Sequence, residues 1–237
     1  MMRSPLSTET LFHLGMVPVS APVVVTWFIV AACWAASALI VRGFARPSPS
    51  VLISKLQAAM ELFVIAIDRQ IHDTMQVEPG NYRALIGAIF LFILIANWSA
   101  LIPGVEPPTA HIETDAALAL IVLCATVFFG IREHGLKAYL ATFAEPSWAM
   151  IPLNLVEQMT RSFSMVVRLF GNVMSGVFIV GIVLSLAGLL VPIPLMALDL
   201  LTGAVQAYIF TVLAMVFIGA AVTDGDPATI AHKTETT

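Results

Sequence analysis

The amino-acid sequence predicts an all-α membrane protein with about five transmembrane helices and one interfacial amphipathic helix. Two observations carry this. The chain is 59% hydrophobic and only 11% charged over 237 residues, with a mean hydropathy of +0.94. Soluble domains hold about 25% charged residues to cover their surface, so lipid is the expected solvent for most of this chain. The apolar residues also fall into runs near the length of about 20 that a spanning helix requires.

Taken in order, residues 23–41 are an apolar run preceded by Pro18 and Pro22 and closed by Arg42 and Arg46, which reads as the first span. Residues 51–75 place Leu52, Leu56, Met60, Phe63, Val64, Ile67 and Ile71 at helical spacing, with Lys55, Glu61, Asp68, Arg69, His72 and Asp73 around them. One oily face and one charged face predict an amphipathic helix at the membrane surface. Residues 81–102 are the second span and end at Pro103, Gly104, Pro107 and Pro108. The third, 116–131, is followed by Arg132, Glu133, His134 and Lys137. A long helical pattern covers 151–190, a turn follows at Val191–Pro194, and a last helix covers 195–222. The whole is read as a single membrane domain, 1–237, with the last two helices long and tilted.

Arg42, Arg46, Lys55, Arg69 and Arg83 fall on one side of the membrane, with Arg132 and Lys137 two spans later, whereas Glu106, Glu113 and Asp115 give the intervening loop only negative charge. Positive charge marks the cytoplasmic side, so the N-terminus is expected outside and the C-terminal tail with Asp224, Asp226 and Lys233 inside. The segment from Met1 to Val19 has one Arg and no long apolar core, so no cleaved signal is expected. A formal charge of −4 offers no basic surplus for nucleic acid. Cys33 and Cys124 lie singly in apolar runs, where a thiol acts as a small hydrophobe; no metal or cofactor site is expected.

All but Arg161 and Arg168 of the 11 Lys and Arg residues sit at or beyond span ends. In the long helix, Glu157, Arg161, Ser164, Arg168, Asn172 and Ser175 follow one another at spacings that form a single polar stripe. A central arginine costs about 2.5–3.5 kcal/mol on insertion scales, so it must meet protein, water or a counter-charge. Arg161 has Glu157 one turn away and reads either as its ion-pair partner or as a channel residue. Arg168 has no acid of its own helix within a turn, so its counter-charge must come from elsewhere. Gly171 and Gly176 permit close approach beside it. The last helix carries Asp199, Thr202, Gly203, Gln206 and Phe210 at matching spacing. Asp199 reads as an intramembrane carboxylate or as an interfacial acid, and Gln206 as part of an ion path or as an interhelical hydrogen-bonding group.

At these residues the chain resembles the a subunit of the membrane sector of F-type rotary ATP synthases, bacterial type. The match is carried by Met165-Val-Val-Arg168-Leu169-Phe170-Gly171-Asn172, by Gln206-Ala207-Tyr208-Ile209-Phe210, and more weakly by Phe92–Pro103, Pro108-Thr109-Ala110 and Pro152-Leu-Asn-Leu155. These lie in the family's order along nearly the whole chain. The resemblance implies a non-catalytic stator whose two aqueous half-channels pass protons, or sodium, to and from the carboxylates of a rotating ring of c subunits. It implies b subunits of the peripheral stalk and, indirectly, the soluble F1 sector as further partners, and the bacterial inner membrane as the location.

Arg168 is the implied ring-facing arginine, with Asn172, Gln206 and Asp199 beside the ion path. Arg161, Ser175, Asn97, His111, Glu113 and Asp115 are further half-channel candidates. Two departures matter. Val177 stands where many relatives carry an acid or histidine, leaving the last helix to supply the half-channel carboxylate through Asp199. His111 replaces a common aspartate, with Glu113 and Asp115 close behind, and solvated loop groups are the alternative reading for all three. The coupling ion stays open. A stand-alone transporter or channel is the alternative function, but no internal repeat supports it. Gly-x-x-x-x-Gly-Lys-Ser/Thr, His-Glu-x-x-His and Gly-x-Ser-x-Gly are absent, which removes the sequence basis for ATP, zinc-protease or serine-hydrolase chemistry in this chain.

Overall fold

The computed structural model describes residues 10–14, 17–44, 51–102, 105, 107–136, 139, 150–188 and 191–223. Arg46, Lys137, Glu106, Asp224, Asp226 and Lys233, which entered the orientation argument, lie outside them, as do Met1–Glu9. Among the described residues the architecture is helical: α1 Ala21–Phe44, α2 Val51–Met75, α3 Arg83–Trp98, α4 Ile112–His134, α5 Met150–Ala187 and α6 Pro192–Thr223. The all-α expectation needs one addition. Thr10–Leu14 (β1) and Val17–Ser20 (β2) pair antiparallel, with Phe12 opposite Val19 and Leu14 opposite Val17. Val17 and Val19 suit a strand and Pro18 between them rules out a helix interior.

Proline fixes where several helices begin. Pro22, Pro152 and Pro192 fall within the first turn of α1, α5 and α6. A missing N–H costs nothing there, because those donors have no intrahelical acceptor. The last helix therefore starts at Pro192, three residues before the sequence expectation. The fourth helix is longer than its apolar run of 116–131. Glu113 and Asp115 occupy its first turn and Arg132 and His134 its last, each sign matching the helix dipole. Left-handed backbone closes two helices: Gly135, at φ 82°, ends α4 and Gly188, at φ 74°, ends α5. The end of α2 uses Gln76 at φ 55° instead, with its N–H donating to the His72 carbonyl at 3.0 Å.

Four described helical segments, 83–101, 112–134, 152–186 and 192–223, are long and apolar enough to cross a membrane, and α1 contributes the apolar stretch 22–35. The chain is thus a multi-pass membrane protein. At about 1.5 Å per residue the 38 residues of α5 reach about 57 Å, nearly twice a hydrocarbon core of about 30 Å.

Packing divides the chain into two compact units that share α2, α3, α5 and α6 between them. The first holds residues 1–63, 90–111 and 170–207. Here α1 packs on a single 3₁₀ turn, Pro108–Ala110, and the Phe63 and Phe90 rings lie 5.9 Å apart. The second holds residues 64–89, 112–169 and 208–237. Ile67, Ile71 and Met75, one α2 face at four-residue spacing, are buried in it. Gly219 of α6 leaves room for the Met75 side chain. The Tyr82 and Phe129 rings meet at a tilt of 57° with centroids 4.8 Å apart, Arg83 forms a bidentate pair with Asp68 at 2.5 and 2.6 Å, and the His134 ring donates to the Val222 carbonyl at 2.5 Å.

The two left-handed positions give opposite predictions. Gly135→Ala forces a Cβ into φ 82° and lowers stability by about 1 kcal/mol, whereas Gln76→Gly relieves the same strain and raises it by a similar amount. Thermal unfolding in detergent measures both; equal shifts in one direction contradict the assignment.

Candidate functional site

Along α5, the buried face is formed by Met165, Val166, Leu169 and Val173, with Leu169 at 0% exposure. The polar stripe is not on that face. Arg168 precedes Leu169 by one residue and so points about 100° away from it. Glu157, Arg161, Ser164, Arg168 and Ser175 are all exposed and Asn172 is half-buried. Gly171, on the same stretch, has nothing within 4 Å of the position a Cβ would occupy. A foreign surface can approach the helix there.

The two arginines separate by environment. Arg161 donates to the Glu157 carboxylate one turn back, and its guanidinium lies 5.7 Å from the centre of the Phe217 ring. Ion pair and cation–π contact account for its charge within the chain. These groups line a cleft of about 260 Å³ with Thr126, Tyr139, Asn154, Gln158 and Ser162. Burial pushes the Tyr139 phenol above its usual range, so at neutral pH it serves the cleft as a neutral hydroxyl. For Arg168 no carboxylate and no hydrogen-bond partner is present among the described residues.

In the first unit, α5 and α6 meet at Gly176. A Cβ on that residue would collide with the Asp199 carboxylate, which fills the space instead. The glycine thus makes room for an acid inside the membrane domain. Three and seven residues past Asp199, Thr202 donates to the Asp199 carbonyl at 3.0 Å, and Gln206 is buried at 6% exposure with its Nε2 unpartnered. Asn172 likewise has a buried Nδ2 without a partner. These two buried amide groups retain donor capacity that a wet or occupied site can use.

Asn97 behaves differently from its neighbours in sequence. It is buried, its Nδ2 donates to the Gly203 carbonyl at 2.9 Å, and its Oδ1 accepts from the Thr109 hydroxyl at 2.8 Å. The Trp98 indole donates to the Leu200 carbonyl at 3.3 Å. A Cβ on Gly203 would stand 3.0 Å from that of Asn97, so the close approach requires glycine. Asn97 is a clamp joining α3, the Pro108–Ala110 turn and α6. Thr109, its fully buried partner, was visible only as part of a motif, because a threonine in a loop carries no pattern of its own. Glu113 is exposed and His111 half-exposed, but Asp115 is fully buried. The solvated reading of the outer acids fails for Asp115.

The clamp predicts coupling. Asn97→Ala strands the Thr109 hydroxyl and costs about 1–3 kcal/mol; Thr109→Val adds little once Asn97 is gone. A double-mutant cycle on detergent thermal stability checks this, and fully additive losses contradict it.

The ATP synthase A chain family matches residues 23–219. The chain is 52% identical to ATP synthase subunit a 2 of Bradyrhizobium sp. strain BTAi1 over 94% of its length and 97% of the relative's. It is 42% identical to ATP synthase subunit a of Albidiferax ferrireducens, covering 87% and 88% of the two chains, and 44% identical to ATP synthase subunit a 1 of Chlorobaculum tepidum, covering 89% and 94%. A match over most of the chain at this identity settles the family: the chain belongs to the ATP synthase A chain family.

Proposed function

We propose that this stator subunit moves ions between two aqueous half-channels and the carboxylates of a c-subunit ring, with Arg168 facing each carboxylate as it passes. One observation supports this above the others. Arg168 is exposed on an apolar helix, off that helix's buried face, and unpaired among the described residues. In hydrocarbon such a charge is tolerated only against an outside counter-charge or water.

Guanidinium suits the task because it remains charged when desolvated. It attracts an ion-free ring carboxylate and repels a cation that would cross directly from one half-channel to the other. A lysine, which loses its proton when buried, is a poorer barrier. Asn172 and Gln206 orient the exchanging groups along the ion path, and Asp199 supplies the half-channel carboxylate that Val177 does not. Arg161, Ser175, Asn97, His111, Glu113 and Asp115 belong to the walls and mouths of the two channels.

The subunit has no catalytic site of its own. It crosses the bacterial inner membrane five times, with 51–75 lying at the interface, the N-terminus periplasmic and the C-terminus cytoplasmic. Besides the c ring, it contacts the b subunits of the peripheral stalk and, through them, the F1 sector. The ion is a proton or sodium, with selectivity set mainly by the c-subunit ligands. A potential of about 100 mV supplies about 2.3 kcal/mol per charge, so several ions pass per ATP.

Arg168→Ala abolishes ATP-driven ion pumping by vesicles carrying the complete complex and leaves ATP hydrolysis by the detached soluble sector intact. Arg168→Lys leaves at most residual pumping. Proton or sodium uptake into inverted vesicles measures both, and normal coupled pumping in Arg168→Ala sinks the reading.

A further inference from the structure

The cleft of about 260 Å³ beside Arg161 lies wholly in the second unit, between α4, α5, α6 and Tyr139. Of its lining residues only Glu157 and Arg161 are charged; the others carry amides, hydroxyls or apolar groups. The wall is neutral as a whole but strongly dipolar. Each member of the pair also keeps bonding capacity. Arg161 donates through Nη2 to Glu157 Oε1, which uses one of the five guanidinium N–H groups and one of the two carboxylate oxygens. Arg161 is 50% exposed and Glu157 52%, so a ligand can reach both without breaking the pair.

Position narrows the kind of ligand. Phe217, Ala220 and Ala221 lie two to six residues before Thr223, where α6 ends, within about 9 Å of that end at about 1.5 Å per residue. The polar layer of a bilayer is about 5–7 Å deep on each side of the hydrocarbon. The cleft therefore sits where headgroups meet hydrocarbon, with Leu123, Phe217 and Ala220 as its apolar side. It is smaller than the sites of about 300–1,000 Å³ that enclose a whole drug-sized ligand, which suits a headgroup whose chains stay in the bilayer.

Charge selects among headgroups. A basic pocket draws an anionic lipid, but here Glu157 stands beside the base and repels one. A quaternary ammonium has no N–H to give a carboxylate and is held against open aromatic faces. Both aromatic residues of the lining are already engaged: Phe217 faces the Arg161 guanidinium, and the Tyr139 ring fills the place of a Cβ on Gly130. A primary ammonium next to a phosphate matches both ends of the pair, with three N–H donors for the carboxylate and anionic oxygens for the guanidinium fork.

We propose that this cleft binds the ammonium–phosphate headgroup of a phosphatidylethanolamine molecule, with the ammonium on Glu157 and the phosphate on Arg161. The pair needs no charge from outside, and this headgroup brings no net charge to it. Arg168 lies outside the cleft, and the proposal does not depend on the stator reading.

The test uses the complete complex, extracted in mild detergent from vesicles of phosphatidylethanolamine, phosphatidylcholine and phosphatidylglycerol in equal amounts, with the retained lipids counted by mass spectrometry. Wild type holds phosphatidylethanolamine about tenfold over the other two at one site per copy of this subunit, the discrimination that one charge-assisted hydrogen bond gives. Ala220→Leu fills the cleft and loses that molecule. Glu157→Gln keeps the shape and leaves a single positive charge, so the preference passes to phosphatidylglycerol. Immunoblotting checks assembly; if Ala220→Leu does not assemble, Glu157→Gln decides. Millimolar glycerophosphoethanolamine, a soluble form of the same headgroup, leaves the lipid in place. Retention in proportion to the mixture, an unchanged preference in Glu157→Gln, an unchanged count in assembled Ala220→Leu, or displacement by the soluble headgroup overturns the proposal.

Discussion

An arginine in hydrocarbon must find a partner, and the described residues supply none for Arg168. Its cost, about 2.5–3.5 kcal/mol at a helix centre, is comparable with the effect of losing a large core side chain. The protein keeps it on an exposed stripe of α5, beside a buried face of Met165, Val166, Leu169 and Val173 that anchors the helix. Rigid packing on one side and an open, charged strip on the other is the arrangement expected of a surface that meets a moving partner. The contrast with Arg161 sharpens the point. Glu157 and the Phe217 ring absorb that charge inside the chain, so it asks for nothing from outside.

Small residues and prolines make room for the polar groups. Gly176 lets the Asp199 carboxylate sit between α5 and α6, and Gly203 lets Asn97 reach a helix carbonyl. Lipid offers no competing hydrogen bonds, so each buried amide or hydroxyl either pairs or marks a functional gap. The pairs hold α3, α6 and the Pro108–Ala110 turn together. The gaps, at Asn172, Gln206 and Asp115, fall among the residues proposed to line the ion path.

Much of this was legible in the sequence, for reasons that can be named. Apolar runs and the spacing of Glu157 to Ser175 depend only on helical periodicity, and α5 at 150–187 follows the expected 151–190 closely. Helix ends were less legible. The expectation for α4 counted apolar residues and missed the charged terminal turns, although Glu113, Asp115, Arg132 and His134 carry the dipole pattern. The strand pair of residues 10–20 was missed because two segments of five and four residues are too short to show periodicity. The Asn97–Thr109 bond and the cleft beside Arg161 join segments far apart in sequence, and the complete burial of Asp115 depends on tertiary packing; none has a local signature. Sequence identifies which charges are costly, while packing decides which of them are answered.

The central claim is that the Arg168 face of α5 meets the c ring, and disulfide cross-linking tests it most directly. Cys33 and Cys124 are first replaced by alanine, and a cysteine is placed beside the ion-binding carboxylate of the c subunit. Under mild oxidation in membranes, Asn172→Cys, one turn from Arg168 on the same stripe, is expected to form an a–c disulfide, and Phe163→Cys, exposed on a different side of α5, is expected to form none. Cross-linking from Phe163→Cys with none from Asn172→Cys would place the ring on another face and contradict the account.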